Sequence, residues 1–242
     1  FSHSSVPSVH PYILLNFADR ISDMTTVAHE LGHGIHAYLA RSNGHLQMNT
    51  PPVTAETASV FGEMLVFEDI LKETTDPKKK LAIIAGWIED AFATVFRQAL
   101  LTRFEQMFHK ARVREGELST RRINELWLEA NRKMYGDSVE LSEDYGYWWS
   151  YISHFAHYPF YCYAYSFGEL LVLALYAKYR KEGGSFVPKY LQLLRAGGSL
   201  SPKDLMARMD VDITDPNFWQ GGLDILAEYV KMAEGLAAEA GY

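Results

Sequence analysis

The chain has 242 residues, 48% of them hydrophobic and 22% charged, with a formal net charge of −7. That length can bury a large core, as one domain or two packed lobes, and the acidic balance argues against nucleic acid or an anionic membrane as the main partner. Cys162 is the only cysteine, which rules out an intrachain disulfide and points to a reducing, cytoplasmic setting. The best apolar run, Leu170 to Ala177, is closed off by Glu169 and Lys178, far short of the roughly 20 residues of a membrane span.

In chain order, Phe1 to His10 is polar, with Pro7 and several serines, and reads as a loop or frayed end. Pro11 to Phe17 carries Tyr, Ile and Leu and is the one expected strand. As an edge strand it would offer unpaired N–H and C=O groups to an extended peptide. Asp19 to Asp23 turns the chain into a helix over about Met24 to Arg41, with Thr25 or Thr26 as its cap. This helix holds His29-Glu30-Leu31-Gly32-His33. Two histidines at this spacing share a helix face and can hold one zinc ion at about 2.0–2.1 Å each. Glu30, one position round, is free to act on a water molecule. Gly32 and Gly34 each cost about 1 kcal/mol in a helix interior relative to alanine, which suggests close approach by substrate or by a neighbouring helix.

A catalytic zinc needs a third protein ligand and one open position. Asn43-Gly44 and Pro51-Pro52 let the chain turn back, and Thr54 to about Lys72 reads as a second helix. Glu56 is expected in its first turn, where a carboxylate suits the helix dipole, and is the favoured third ligand. Glu63, seven positions on and so on the same face, is placed to accept a hydrogen bond from a zinc-bound histidine. His36 is the rival third ligand, since it shares the face of His29 and His33. Three ligands from one helix would crowd the ion, whereas a carboxylate from a second helix closes a tetrahedron more easily.

Thr75-Asp76-Pro77 ends this helix and opens the next. Lys80 to Val113 has no proline and keeps apolar residues such as Leu81, Ile84, Ile88, Phe92, Leu100 and Phe104 at helical spacing, so one long core helix is expected. Ser119 caps a helix running to about Tyr135, and Asp137 to Tyr147 reads as a solvated acidic loop. His154 to Tyr165 is dense in histidine and tyrosine. Tyr158, Tyr161 and Tyr165 recur at roughly helical spacing, and Pro159 suits the first turn of a helix beginning just before it. A helix with Leu170, Leu171, Leu173, Leu175 and Tyr176 follows and stops at Gly183-Gly184. Shorter helices are expected from Phe186 to Arg195 and from a Ser201-Pro202 cap to about Met209, and a last one, opened by Asp215-Pro216, from Asn217 to about Ala240. The expected architecture is mostly α, a helical bundle around a zinc-bearing helix pair, with one short edge strand near the metal helix.

His29-Glu30-Leu31-Gly32-His33-Gly34-Ile35-His36 and Ala55-Glu56-Thr57-Ala58-Ser59 resemble the thimet oligopeptidase/oligoendopeptidase F family of zinc peptidases. Pro11 to Asn16 and Phe160 to Glu169 resemble its oligoendopeptidase F branch, so the likeness runs along nearly the whole chain. It implies a zincin-like fold and an endopeptidase that cuts short peptides, with one Zn²⁺ held by His29, His33 and Glu56 and with Glu30 as general base. It also implies that a His and a Tyr from the later segment hold the substrate carbonyl. His154 and Tyr165 match those roles, Tyr161 and Tyr158 stand beside them, and His157 is a rival for His154. Family members carry a long helical region before this point, so residues 1–242 are expected to be a C-terminal catalytic region without it. A zinc exopeptidase and a zinc-binding but inactive fragment are the alternatives.

Overall fold

The computed structural model describes residues 1–241. The elements are β1 (Ser2–His3), β2 (Tyr12–Ile13), α1 (Ile21–Ala40), α2 (Pro52–Ala55), α3 (Ser59–Glu73), α4 (Pro77–Phe92), α5 (Gln98–Glu115), α6 (Thr120–Tyr135), α7 (His154–His157), α8 (Tyr163–Glu182), α9 (Phe186–Ala196), α10 (Pro202–Ala207) and α11 (Pro216–Ala240). The mostly α expectation holds, and Ser119 and Ser201 cap their helices as the sequence suggests, while Asp215 caps the last. Ser119 Oγ accepts the Arg122 N–H, Ser201 Oγ accepts that of Asp204, and Asp215 accepts that of Asn217.

Four local expectations are corrected. The strand expected over Pro11–Phe17 is only Tyr12–Ile13, and it pairs antiparallel with Ser2–His3, inside the stretch expected to be a loop. Pro11 has no N–H to extend the ladder. α1 begins at Ile21 rather than Met24, because Asp23 Oδ2 accepts the N–H groups of Ala18 and Arg20, at 2.7 and 3.0 Å. Thr25 and Thr26 instead donate their hydroxyls to the Ser22 carbonyl. The long helix over Lys80–Val113 is helical throughout, but a π turn at Ala93–Arg97 separates α4 from α5. The expected acidic loop ends in a 3₁₀ stretch, Glu143–Tyr151.

Two compact units make up the chain, residues 1–89 with those from 168 onward, and residues 90–167. In the first, α1 packs on α3 and α9. Phe61 of α3 stacks on Phe186 with ring centres 5.8 Å apart and tilts against Tyr190 at 4.6 Å. Leu171, Leu173 and Leu175 of α8 are fully buried, each contributing about 1.5–3 kcal/mol by leaving water. In the second unit, α5 and α6 close over Leu101, Phe104, Leu126, Trp127, Ile152 and Cys162, with the Phe104 and Trp127 rings edge to face at 5.1 Å.

The two costly glycines of α1 have separate reasons. A Cβ on Gly32 would lie 2.6 Å from Ser59 Cα, and one on Gly34 would lie 3.0 Å from Ile13 Cδ1. Gly32 therefore admits the start of α3, and Gly34 admits β2. From the other side, a Cβ on Gly62 would meet the Ala28 carbonyl at 3.0 Å. The α1–α3 crossing is thus a close backbone contact with a glycine from each helix.

Candidate active site

That crossing brings Glu56 to the histidine pair, though not from the position expected. α2 ends at Ala55 and α3 begins at Ser59, so Glu56 lies in the break between two helices rather than in the first turn of one. Pro51 and Pro52 start α2, and the break is held by short bonds. Thr57 Oγ1 donates to the Thr54 carbonyl at 2.8 Å, and Ser59 Oγ donates to Glu56 Oε2 at 2.5 Å.

Glu56 Oε2 lies 3.5 Å from His29 Nε2 and 3.3 Å from His33 Nε2, and the two imidazole nitrogens are 3.1 Å apart. In a tetrahedral site with arms of about 2.0–2.1 Å, neighbouring ligand atoms stand about 3.3 Å apart. The triangle therefore has the size zinc requires, and its donors, two imidazoles and a carboxylate, are those zinc prefers. Among the described residues, His29, His33 and Glu56 are the one group of three such side chains whose donor atoms converge. His36 is outside that group; it is 5% exposed, and burial together with the charge of His33 lowers its pKa to about 4.

Glu63 sits one layer out. Its Oε1 makes a very short contact with His29 Nδ1. Nδ1–H thus donates to Glu63, and the Nε2 lone pair is left facing His33 and Glu56. Burial disfavours charge on His29, but Glu63, Glu56 and Glu30 outweigh it and raise its pKa. Burial also pushes the Glu56 carboxyl up, yet His33, Ser59 and His29 together hold it at about 2. Glu56 is thus an anion throughout the neutral range. Glu30 Oε2 is buried without a hydrogen-bond partner. An orphaned buried carboxylate oxygen is uncommon and costly, and one near the triad suits a group that takes up a proton. A cleft of about 220 Å³ adjoins His33 and His36, lined by Ser2, Ser4, Asn49, Thr50 and Ala55 among others.

In the second unit, the expected helix at Pro159 does not form. α7 is a single turn, α8 starts at Tyr163, and Phe160 between them has φ +60°. The rings gather nonetheless. His154 Nε2 and Tyr165 Oη are 3.1 Å apart, His154 stacks on Tyr161 at 6.1 Å, and Tyr161 meets Tyr165 edge to face at 5.3 Å. Tyr158 touches the group only through Tyr161, at 6.4 Å, and His157 is exposed. Two supporting residues escape sequence reasoning. Ser166 Oγ donates to the Val95 carbonyl at 2.8 Å, within the π turn, where the usual helical bonding is broken. Glu105, beside Phe104 in an apolar stripe, looks like a surface charge but is buried and accepts the Phe160 N–H at 2.8 Å.

The family model for peptidase family M3 matches residues 1–225. The oligopeptidase PepF of Bacillus subtilis is 33% identical over 96% of this chain and 35% of its own length. The plasmid-borne oligoendopeptidase F of Lactococcus lactis subsp. cremoris is 32% identical over 92% of this chain and 38% of its own. The crystal structure of oligoendopeptidase F from Enterococcus faecium superposes with a TM-score of 0.79 at 26% identity, over 90% of this chain and 40% of that one. The chain thus spans little more than a third of the length of the curated relatives it matches.

Proposed function

The chain belongs to peptidase family M3, and on that premise we propose that it hydrolyses peptide bonds within short peptides, using one zinc ion held by His29, His33 and Glu56. The observation that carries the reading is the ligand triangle, whose sides of 3.1, 3.3 and 3.5 Å match the edge of a tetrahedral zinc site. Zinc bound there would polarise a peptide carbonyl and bring the pKa of a water to about 7. Glu30 takes the proton of the attacking water on its unpartnered Oε2 and passes it to the leaving amine. Glu63 keeps the proton of His29 on Nδ1, so that Nε2 stays a ligand. His154 and Tyr165, with Tyr161 beside them, donate hydrogen bonds to the carbonyl oxygen as it gains charge. Preference for short peptides is carried over from relatives named oligopeptidases. On this reading the chain is the catalytic region of such a protein. The lone, buried Cys162 fits a cytoplasmic setting, and no helix among the described residues is long and apolar enough to cross a membrane.

Glu30→Gln keeps shape and hydrogen bonding but removes the base. We expect full zinc content and a fall in turnover of at least about 10²-fold on a peptide blocked at both termini. Turnover within a few-fold of the parent defeats the mechanism, and an uncut blocked peptide alongside a cut free one identifies an exopeptidase.

A further inference from the structure

The geometry of the His154–Tyr165 group is set from outside it. Between α7 and α8 the backbone passes through Phe160 in a left-handed conformation, φ +60°, uncommon for a bulky residue and maintained only where the surroundings fix it. Two side chains of α5 touch that residue, and a third packs on α7 just before it. Phe104 packs on Phe155 with ring centres 5.2 Å apart. Glu105 Oε1 accepts the Phe160 N–H at 2.8 Å. His109, one turn further along the same face, lays its ring on that of Phe160 at 4.7 Å. Glu105 is 3% exposed. A carboxylate so buried is unfavourable unless hydrogen-bonded, and an apolar side chain would fill this place in the core more readily. What an apolar side chain would not provide is a charge-assisted acceptor for one turn N–H, stronger than a neutral one.

Phe160 lies between His154 and the two tyrosines it meets. A change of its φ to the ordinary negative range would re-aim everything after it relative to His154. We infer that Glu105 is a positioning residue, which locks the Phe160 turn and so holds His154, Tyr161 and Tyr165 in register. The inference rests on the reading of these three as donors to the reacting carbonyl.

The test compares Glu105→Leu, which removes the acceptor, with Glu105→Gln, which keeps it. Each protein is loaded with zinc and followed by peptide kinetics and by NMR of the His154 imidazole. Glu105→Leu is expected to keep its zinc and its KM, to lose about 10²-fold in kcat, the scale of an ångström of misplacement, and to move the His154 resonances. Glu105→Gln should recover most of the lost kcat. Phe160→Gly, which adopts positive φ without strain, should recover part of it in the Glu105→Leu background. Parent-like kcat and an unmoved His154 resonance in Glu105→Leu overturn the inference, as do equal losses in the Leu and Gln variants. A parent without peptidase activity defeats the proposed function alone, since the His154 resonance still decides the role of Glu105. Should Glu105→Leu not fold, hydrogen exchange in the parent decides: a slowly exchanging Phe160 amide supports the lock, and a freely exchanging one overturns it.

Discussion

Alanine in place of Gly32 adds one methyl group where α1 and α3 cross most closely. Its Cβ would lie 2.6 Å from Ser59 Cα and 2.7 Å from the Ala58 carbonyl carbon, where carbon atoms prefer about 3.5–4.0 Å. Both neighbours are backbone, so no side chain can swing aside, and α1 and the start of α3 must part by roughly 1 Å. Overpacking of this kind costs about 1–3 kcal/mol, and the better helix propensity of alanine offsets about 1 kcal/mol of it. The metal-free chain should therefore lose no more than about 2 kcal/mol. Zinc should suffer more. Glu56 precedes Ser59 by three residues and moves with it, while ligand distances tolerate only about 0.2 Å. We expect zinc affinity to fall at least about 10-fold, the low end for disturbing even an outer partner of a ligand. Competition against a chelating dye measures the affinity, and denaturant unfolding with chelator present measures the stability. Affinity within threefold of the parent, in a variant that is destabilised, would refute the claim that this crossing sets the ligand triangle. Gly86→Ala is the control. Nothing lies within 4 Å of its added Cβ, so it should gain up to about 1 kcal/mol and leave zinc affinity alone.

Metal analysis of Glu56→Ala and His36→Ala separates the candidate third ligands. Loss of zinc is expected from the first and retention by the second, and the reverse pattern replaces Glu56 with His36. Tyr165→Phe should keep its zinc and lose about 10²–10³-fold in kcat; parent-like kcat in an active protein would make this tyrosine structural. The pH dependence follows from His29, whose pKa burial lowers but Glu63, Glu56 and Glu30 raise on balance. In the metal-free chain its pairing with Glu63 stabilises fully below the ordinary histidine value of about 6.5 and fades as pH rises through the raised value. Zinc must displace that proton, so affinity should decline as pH falls through the raised value, and Glu63→Gln should move the decline to lower pH. Superimposable affinity–pH curves for Glu63→Gln and the parent would exclude this account.

The helices were largely legible because their signals are local. Ser119 and Ser201 read as caps and accept an N–H of the first turn, and Asp215-Pro216 opens the last helix where expected. The His29–His33 pair was legible for the same reason, since four-residue spacing fixes a shared face whatever surrounds it. Features set by tertiary contacts leave no such local signal. Thr54 to Lys72 reads as one continuous helix, but it breaks after Ala55, where α1 packs close, and no local pattern records that approach. The π turn at Ala93–Arg97 interrupts an apolar periodicity that shows no gap, and its Val95 carbonyl, which accepts the Gln98 N–H, also accepts the hydroxyl of Ser166, 71 residues away. Pro159 looked like the start of a helix, yet the turn at Phe160 is stabilised by Glu105, 55 residues away.

The break that carries Glu56 also has support from behind. Thr57 is fully buried, and its carbonyl accepts the Tyr190 hydroxyl of α9 at 2.6 Å. A carbonyl in an interrupted helix has lost its usual N–H partner, and leaving it unpaired in the core would cost about 1–3 kcal/mol. Burial raises the pKa of the Tyr190 phenol, so the hydroxyl stays protonated and remains a donor. The Tyr190 ring is held by contact with both Phe61, at 4.6 Å, and Phe186, at 5.4 Å, which limits its freedom to leave that carbonyl. The irregular backbone around Glu56 is therefore paired on its far side by α9, while the glycine crossing presses its near side onto α1. Residues remote from the histidine pair thus hold Glu56 within reach of His29 and His33. The residue types that carry the chemistry are legible in a single sequence, whereas the contacts that aim them belong to the packed core.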